Sequence, residues 1–249
     1  MNSTQFSGKV ALVTGASSGI GAATAVLLAQ RGAAVAVFGR RKDKLDDVVV
    51  RIREAGGSGL AVHGDVGVPS DVERAVAAAV AEFGALHYGV NNAGMSGYFE
   101  TVADLSLEKW TEVVNVNLSG LFYSMKYEIP PMLAAGGGAI VNVSSVFADR
   151  GGPSADYSSA KHAVRGLTRT TARDFGARGI RVNELQPGVI DTEMTQADPE
   201  GTQAVADRGI PLRRVGAARE VATAIAFLLS DDASYITGAH LAADGGFLA

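Results

Sequence analysis

Short apolar segments alternate with longer amphipathic segments along most of the chain. Residues 9–14 form a β-branched, nearly all-apolar run, and residues 33–38 form a second one. Between them, residues 19–31 are rich in Ala and Leu and end at Gly32. Short apolar runs are typical of buried strands, and a longer apolar run that stops at glycine is typical of a helix.

The same unit recurs to the end of the chain. Further strands are predicted at 59–63, 85–90, 139–143, 180–185 and 239–242, and further helices at 43–55, 69–83, 107–133 (largely helical), 157–175 and 220–229. Strands that are apolar on both faces and alternate with helices indicate a parallel sheet covered on both sides. The sequence therefore predicts an α/β, Rossmann-type doubly wound fold with a mostly parallel seven-stranded sheet and helices on both faces.

The segment 190–214 departs from this alternation of strands and helices. Asp198-Pro199-Glu200-Gly201 and Ile210-Pro211 are expected to interrupt any long element within residues 190–214. We expect this segment to be a mobile insertion that covers a ligand at the carboxyl ends of the strands. No linker or shift in composition separates the two halves, so residues 1–249 are predicted to form a single domain.

Composition narrows the class of protein. The chain is 47% hydrophobic and 19% charged, which is too apolar for disorder, yet no apolar run reaches the roughly eighteen residues of a membrane helix. A net charge of −4 argues against a nucleic-acid partner. The absence of cysteine excludes disulfides and thiolate sites, and the first six residues do not resemble a signal peptide. A soluble, cytoplasmic protein is expected.

A glycine-rich turn joins the first predicted strand to the first predicted helix. Its sequence is Thr14-Gly15-Ala16-Ser17-Ser18-Gly19-Ile20-Gly21. Backbone N–H groups and the helix dipole at such a turn can hold a pyrophosphate, and glycine allows the phosphates to approach closely. A plain glycine turn is the alternative, but the strand before and the helix after favour a dinucleotide site.

Two arginines follow the second predicted strand. A fold that binds NAD usually places an acid here, on the ribose hydroxyls, whereas this chain has Gly39-Arg40-Arg41. Arg40 can instead pair with the 2′-phosphate of NADP. The alternative is that both arginines only solvate a turn.

Tyr157 and Lys161 lie one turn apart at the start of a predicted helix. An adjacent ammonium and the positive end of a helix both favour the phenolate, which predicts a proton donor of tunable pKa. Ser145, at the end of the preceding strand, could hydrogen-bond a substrate carbonyl. The alternatives are an amphipathic helix surface and an ordinary turn serine.

Together these residues resemble the classical short-chain dehydrogenase/reductase family over almost the whole chain. The match begins with the glycine turn and continues through motifs that keep the family's order: Asp65-Val66, Asn91-Asn92-Ala93-Gly94, Asn117, Ser145, Tyr157, Lys161, Pro187-Gly188 with Thr192, and Asp244-Gly245-Gly246.

The resemblance implies a role for each of these motifs. It implies a catalytic tetrad of Asn117, Ser145, Tyr157 and Lys161, with Asn117 anchoring a water that relays protons to Lys161. It implies a cofactor site made of Gly15, Ser17, Ser18, Gly19, Ile20, Gly21, Arg40, Asp65, Val66, Asn92, Ala93, Gly94, Tyr157, Lys161, Pro187, Gly188, Ile190 and Thr192.

Two departures from the family pattern bear on these assignments. Ser145 precedes Tyr157 by 12 positions, one fewer than the family interval, which Ser144 would match. Ser145 is still preferred, because the family's serine is the second of the pair at the strand end. Ser18 stands where many NADP-preferring relatives carry a basic residue, so the NADP prediction rests mostly on Arg40.

The expected activity is that of an NADP(H)-dependent carbonyl reductase that interconverts a ketone and a secondary alcohol. An NAD(H)-dependent alcohol dehydrogenase, a non-redox member of the family and a dinucleotide-sensing protein are the alternatives. The substrate is expected to be small and apolar, because the predicted pocket positions are mostly apolar: Met95, Ser96, Val146, Phe147, Val189, Ile190 and Met194. No catalytic metal is expected, and the resemblance implies a homotetramer.

Overall fold

A seven-stranded parallel sheet forms the centre of the molecule. The computed structural model describes residues 4–152 and 154–249, so residues 1–3 and 153 of the predicted domain lie outside the described part. The strand order is β3-β2-β1-β4-β5-β6-β9, and every neighbouring pair is parallel. The strands are β1 (Val10–Thr14), β2 (Ala34–Gly39), β3 (Ser58–His63), β4 (Tyr88–Asn91), β5 (Gly138–Val143), β6 (Ile180–Pro187) and β9 (His240–Ala243), with a separate short pair, β7 (Ile190–Asp191) and β8 (Gly216–Ala217).

Helices cover both faces of this sheet. They are α1 (Gly19–Gln30), α2 (Lys42–Glu54), α3 (Pro69–Phe83), α4 (Leu107–Val114), α5 (Gly120–Ala134), α6 (Ala155–Phe175), α7 (Pro199–Gly209) and α8 (Ala218–Leu229). The predicted doubly wound α/β fold is therefore confirmed.

Strand β1 is apolar on both faces because it lies between two hydrophobic cores. Val13 packs in one core with Leu28 of α1 and Ile225 of α8. Leu12 points the opposite way and packs in the other core with Met125 of α5 and Val164 of α6. Successive side chains of a strand alternate between faces, so a central strand buried on both sides is almost entirely apolar, and in β1 the one polar residue is Thr14 at its carboxyl end.

The predicted helical region 107–133 contains an irregular turn. Helices α4 and α5 are continuous with each other through a π-helical segment, Asn115–Ser119, which carries Asn117. A π-helical turn changes which way the following side chains point, and such turns are frequent at functional sites.

Residues 190–214 differ from the sequence prediction. The motif that was expected to interrupt long elements instead starts α7, an 11-residue helix. The Asp198 carboxylate accepts a hydrogen bond from the backbone N–H of Gly201 (3.0 Å) and caps the helix, and Pro199 occupies its first turn. Aspartate followed by proline is a favourable helix start, so the prediction of an interruption at this motif was wrong.

No helix in residues 4–152 and 154–249 is long and apolar enough to cross a membrane. Over the same residues, no three His, Cys, Asp or Glu side chains are grouped so that they could hold a metal ion.

Candidate active site

A cleft of about 470 Å³ opens at the carboxyl ends of the strands, where the strand order reverses between β1 and β4. This is the place where open α/β sheets bind ligands. Most of the predicted site residues line it: Gly15, Ser17, Ser18, Gly19, Ile20, Arg40, Asp65, Val66, Asn92, Ala93, Gly94, Ser145, Tyr157, Lys161, Pro187, Gly188, Ile190 and Thr192. Gly21 and Asn117 lie just outside its lining.

The glycine turn needs glycine for two different reasons. Gly15 and Gly19 have φ values of +63° and +53°, in the left-handed region that side chains disfavour. A Cβ on Gly21 would lie 2.4 Å from the Gly15 carbonyl oxygen, so that position has no room for a side chain. The loop therefore packs closely against its surroundings and forms a cradle at the start of α1, where backbone N–H groups fit a dinucleotide pyrophosphate.

The cradle is tied to the end of β4. The Asn92 amide donates hydrogen bonds to the carbonyl oxygens of Thr14 (3.1 Å) and Gly15 (3.2 Å). In return, the Thr14 hydroxyl accepts hydrogen bonds from the backbone N–H groups of Asn92 and Ala93, both at 3.1 Å. These four contacts hold the two strand ends together, so the glycine loop has a fixed position before any ligand binds.

The two arginines after β2 have different environments. The side chain of Arg40 is 68% exposed, and its guanidinium lies 4.0 Å from the Asp65 carboxylate. This leaves it free to meet an anion at the adenosine end of the cleft. Gly39 occupies the position where an acid would select NAD.

Arg41 is a cleft residue that the sequence analysis missed. Its guanidinium donates to the hydroxyls of Ser17 (2.9 Å) and Ser18 (2.7 Å), and it forms an ion pair with Glu193 (2.6 Å). It therefore joins the glycine loop to the segment after β7. A second basic residue directly after Arg40 was the available signal, but its partner Glu193 is 152 positions away.

Three side chains that could take part in proton transfer lie together on the other side of the cleft: Ser145, Tyr157 and Lys161. Tyr157 lies in the first turn of α6, and the Ser145 hydroxyl is close enough to act on its pKa. The Lys161 ammonium lies 5.6 Å from the centre of the Tyr157 ring. The Lys161 side chain is buried and donates a hydrogen bond to the Val143 carbonyl oxygen (3.1 Å), at the end of β5.

Burial has the largest effect on the pKa values of Tyr157 and Lys161. It raises the pKa of Tyr157 above its usual value, while the Ser145 hydroxyl acts in the opposite direction. It lowers the pKa of Lys161 to about 8. The cost of burying the charged phenolate is the largest effect on this pKa, and the favourable effect of the lysine and the helix end on the phenolate stays a prediction. A Tyr157 that keeps its proton at neutral pH can donate it.

The geometry distinguishes the two serines at the end of β5. The Ser144 hydroxyl donates to the buried carboxylate of Glu184 and also contacts the Leu185 carbonyl oxygen. The Ser145 hydroxyl accepts from the backbone N–H of Phe147 and is the one that faces Tyr157. This arrangement favours Ser145, in spite of its shorter spacing to Tyr157.

Asn117 is fully buried beneath the cleft. Its amide group donates to the Met95 carbonyl oxygen (2.9 Å) and accepts from the Met95 backbone N–H (2.8 Å). The side chain therefore fixes the loop after β4. In this structure it contacts that loop and not Lys161.

An aromatic wall is made of Phe147, Tyr157 and Phe247, of which Tyr157 lines the cleft. The Phe147 ring meets those of Tyr157 and Phe247 edge to face, with centroids 6.5 Å and 6.3 Å apart. The Arg150 guanidinium covers the Phe247 ring at 5.1 Å. Of the predicted pocket positions, Met95, Ile190 and Met194 line the cleft, and Val189 lines a second, smaller cavity. Ser96, Val146 and Phe147 line neither of these two cavities.

Comparison with known proteins gives consistent matches. A family model described as enoyl-(acyl carrier protein) reductase matches residues 15–248. The chain is 45% identical to the cyclohexanol dehydrogenase of Acinetobacter sp. (strain SE19) over 98% of this chain and 97% of that protein. A solved short-chain type dehydrogenase/reductase from Mycobacterium ulcerans is 34% identical, with a TM-score of 0.94 over 98% of this chain and 91% of that one.

A further solved relative contains both a cofactor and a substrate. L-Sorbose reductase from Gluconobacter frateurii, complexed with NADPH and L-sorbose, is 34% identical, with a TM-score of 0.91 over 100% of this chain and 99% of that one. The similarities extend over nearly the whole length of each protein, and the fold and cleft described above agree with them. This chain belongs to the short-chain dehydrogenase/reductase family of oxidoreductases.

Proposed function

We propose that this protein is an NADP(H)-dependent oxidoreductase that interconverts a small ketone and a secondary alcohol. The observation that carries the proposal is the meeting of Ser145, Tyr157 and Lys161 in the cleft that the glycine loop opens. A sensing protein without turnover would not require these three groups together. The whole chain, 1–249, then acts as one catalytic domain whose residues 190–214 contribute to the cover of the cleft.

The cleft residues suit a dinucleotide bound in one orientation, with its adenine and nicotinamide ends at opposite ends of the cleft. The glycine loop would hold the pyrophosphate, Arg40 the 2′-phosphate, and Asp65 with Val66 the adenine. Lys161 and Tyr157 would bind the nicotinamide ribose, and the nicotinamide would lie against Asn92–Gly94 and the segment from Pro187 to Thr192. When bound, NADPH supplies the hydride for reduction and NADP⁺ accepts it for oxidation.

The chain's own contribution is to hold the carbonyl and to move a proton. Ser145 donates a hydrogen bond to the carbonyl oxygen, and Tyr157 gives that oxygen its proton as negative charge develops. The Lys161 ammonium stabilises the phenolate that is left after the transfer. In the oxidative direction Tyr157 takes the proton from the alcohol. Asn117 supports this site by fixing the Met95 loop.

The surroundings of Tyr157 favour an apolar substrate. The aromatic wall, Met95, Ile190 and Met194 offer mainly apolar contacts. The cyclohexanol dehydrogenase relative is named for an alcohol of ring shape, and such a ring suits edge and face contacts with aromatic side chains. We therefore propose a small cyclic ketone or cyclic secondary alcohol as the substrate class.

A matched set of ketones tests both the reaction and the substrate class. With NADPH, we expect kcat/KM for cyclohexanone to exceed that for 4-oxocyclohexanecarboxylate at least about tenfold, because an anion buried beside apolar groups lacks a paired cation. The neutral methyl ester of that acid controls for size and should resemble cyclohexanone. Higher kcat/KM for the carboxylate would overturn the apolar assignment and point to Arg150 or to residues 190–214 as an anion site.

The same assay separates the alternatives. NADPH binding without oxidation by any ketone would favour a sensing protein. Turnover of a ring substrate without any change in the nicotinamide would favour non-redox chemistry. Oxidation of NADH in preference to NADPH would favour the NAD(H)-dependent dehydrogenase.

We also propose that the protein is a homotetramer. Large apolar side chains are exposed along α4 and α5, among them Leu107 (78% exposed), Trp110 (38%) and Phe122 (46%), and Leu241 is 37% exposed on the edge strand β9. Surfaces of this kind support contact between copies. Light scattering at micromolar concentration should give about four times the monomer mass. A monomer mass there would refute the proposal.

A further inference from the structure

A polar network with a buried centre joins the end of β5 to α6, the helix that carries Tyr157 and Lys161. At its centre is Glu184 of β6, whose side chain is 1% exposed. One carboxylate oxygen of Glu184 accepts from the Arg165 Nε atom at 3.0 Å, and the other accepts from the Ser144 hydroxyl. Arg165 also pairs with Asp149, which in turn accepts from the Gln186 amide at 2.9 Å.

This network touches each element that carries a reacting group. Glu184 pairs in register with Asn142 of β5, the strand that ends next to Ser144 and Ser145. Arg165 follows Lys161 by one turn of α6, so both cations extend from the same face of that helix. The carboxylate of Glu184 therefore connects the strand that presents Ser145 with the helix that presents Tyr157 and Lys161.

The charges in this region balance. Lys161 and Arg165 supply two positive charges, and Glu184 and Asp149 supply two negative ones. Asp149 is already strongly engaged, because its hydrogen bond with Arg165 helps to hold its pKa at about 2. The charge on Glu184 acts on Lys161 in the direction that raises its pKa, against the effect of burial. Removing that charge leaves Asp149 as the one anion of this set, to balance both Lys161 and Arg165.

We propose that Glu184 is a positioning residue for the reaction, which acts by supplying the buried negative charge opposite Lys161 and by fixing, with Arg165, the end of β5 that carries Ser145. The inference rests on the proposed function, in which a charged Lys161 is needed. It extends that function to a residue that touches neither substrate nor cofactor.

Several other charged or titratable groups surround Glu184 and Lys161. None of them is replaced in the variants compared below. They are Tyr157 and Asp156 on α6, Asp149 in the segment after β5, Tyr98 in the loop that contacts Asp156, and His240 on β9, which pairs in register with Glu184 and whose charge lowers the pKa of Asp149.

The direct test measures the ionisation of Lys161 in the cofactor-free protein. The chain has six lysines, so labelling of lysine with ¹³C at Cε gives a small set of NMR signals, and Lys161 is assigned with Lys161→Arg. We expect Glu184→Gln, which keeps the shape of the side chain, to lower the pKa of Lys161. The ammonium is lost as pH rises through that pKa, so the alkaline limb of kcat/KM should move to lower pH by about one pH unit.

Two further variants make the test specific. Arg165→Gln removes a neighbouring cation, so it should raise the pKa of Lys161, opposite to the effect of Glu184→Gln. It also keeps the inference testable if Glu184→Gln does not fold. Glu128→Gln is the control for replacing a buried glutamate without removing a charge at neutral pH, because Glu128 is fully buried beside Asn91 and burial raises its pKa to about 8. It should leave both the NMR titration and the pH profile unchanged.

Each result bears on one claim. Shifts of opposite sign in Glu184→Gln and Arg165→Gln, with none in Glu128→Gln, would support the inference. No shift in either network variant, or an equal shift in the control, would overturn it. The NMR titration needs no turnover, so if no ketone is reduced by the wild type while the titration behaves as expected, the proposed function fails and the charge coupling stands.

Discussion

Tyr157→Phe is expected to lose at least about 99% of ketone reduction while keeping the fold and the binding of NADPH. The substitution removes only the hydroxyl that gives the proton, and the phenyl ring preserves the edge-to-face contact with Phe147. General acid catalysis of this kind contributes about 10²- to 10⁴-fold in rate. Turnover is measured by the absorbance of NADPH, cofactor binding by its fluorescence, and folding by thermal unfolding.

Tyr88→Phe is the matched control for this variant. Tyr88 is also buried, packs edge to face on Phe6, and lies outside the cleft lining. It should keep the activity of the wild type. If Tyr157→Phe retained more than about a tenth of that activity, Tyr157 would not be the proton donor.

NADPH is expected to be preferred over NADH by at least about tenfold in kcat/KM, and Arg40→Asp is expected to reverse that preference. Arg40 is free to form charge-assisted hydrogen bonds to a 2′-phosphate, which are worth about 1.5–3 kcal/mol, or about 10- to 150-fold. An aspartate there repels the phosphate and accepts hydrogen bonds from the ribose hydroxyls of NADH. Steady-state kinetics with both cofactors measures the change.

The control for this charge reversal is Arg53→Asp, on an exposed face of α2 outside the cleft lining. It makes the same change in net charge and should leave the cofactor preference unaltered. A wild type that prefers NADH, or an Arg40→Asp variant that still prefers NADPH, would contradict the role given to Arg40.

Local patterns in the sequence predict most of the fold. Strand β1 is apolar at every position except its last, Thr14, because both its faces are covered, and this is visible without the structure. The glycine turn and the Tyr157–Lys161 spacing are also local, so they indicated the cleft correctly. The start of α7 was misread because Asp198 and Pro199 occur both in loops and at helix starts, and only the cap geometry decides between these.

The remaining features depend on contacts between distant parts of the chain. Arg41 and Glu193 meet only when the β1–β2 side of the sheet lies against the segment after β7. The burial of Glu184 depends on Arg165, and the direction in which Asn117 points depends on a π-helical turn. The pKa of Tyr157 depends on the balance between desolvation and nearby dipoles, which residue types alone do not give.

The pairing of β1 with β4 constrains the order in which this protein can fold. These neighbours are separated in sequence by β2, β3 and three helices, so their pairing closes a long loop and carries a large entropic cost. The cleft lies across that pairing, with Thr14 on one side and Asn92 on the other. A growing chain on the ribosome therefore has no dinucleotide site until β4 has emerged, and the cofactor stabilises the finished sheet without guiding its first strands.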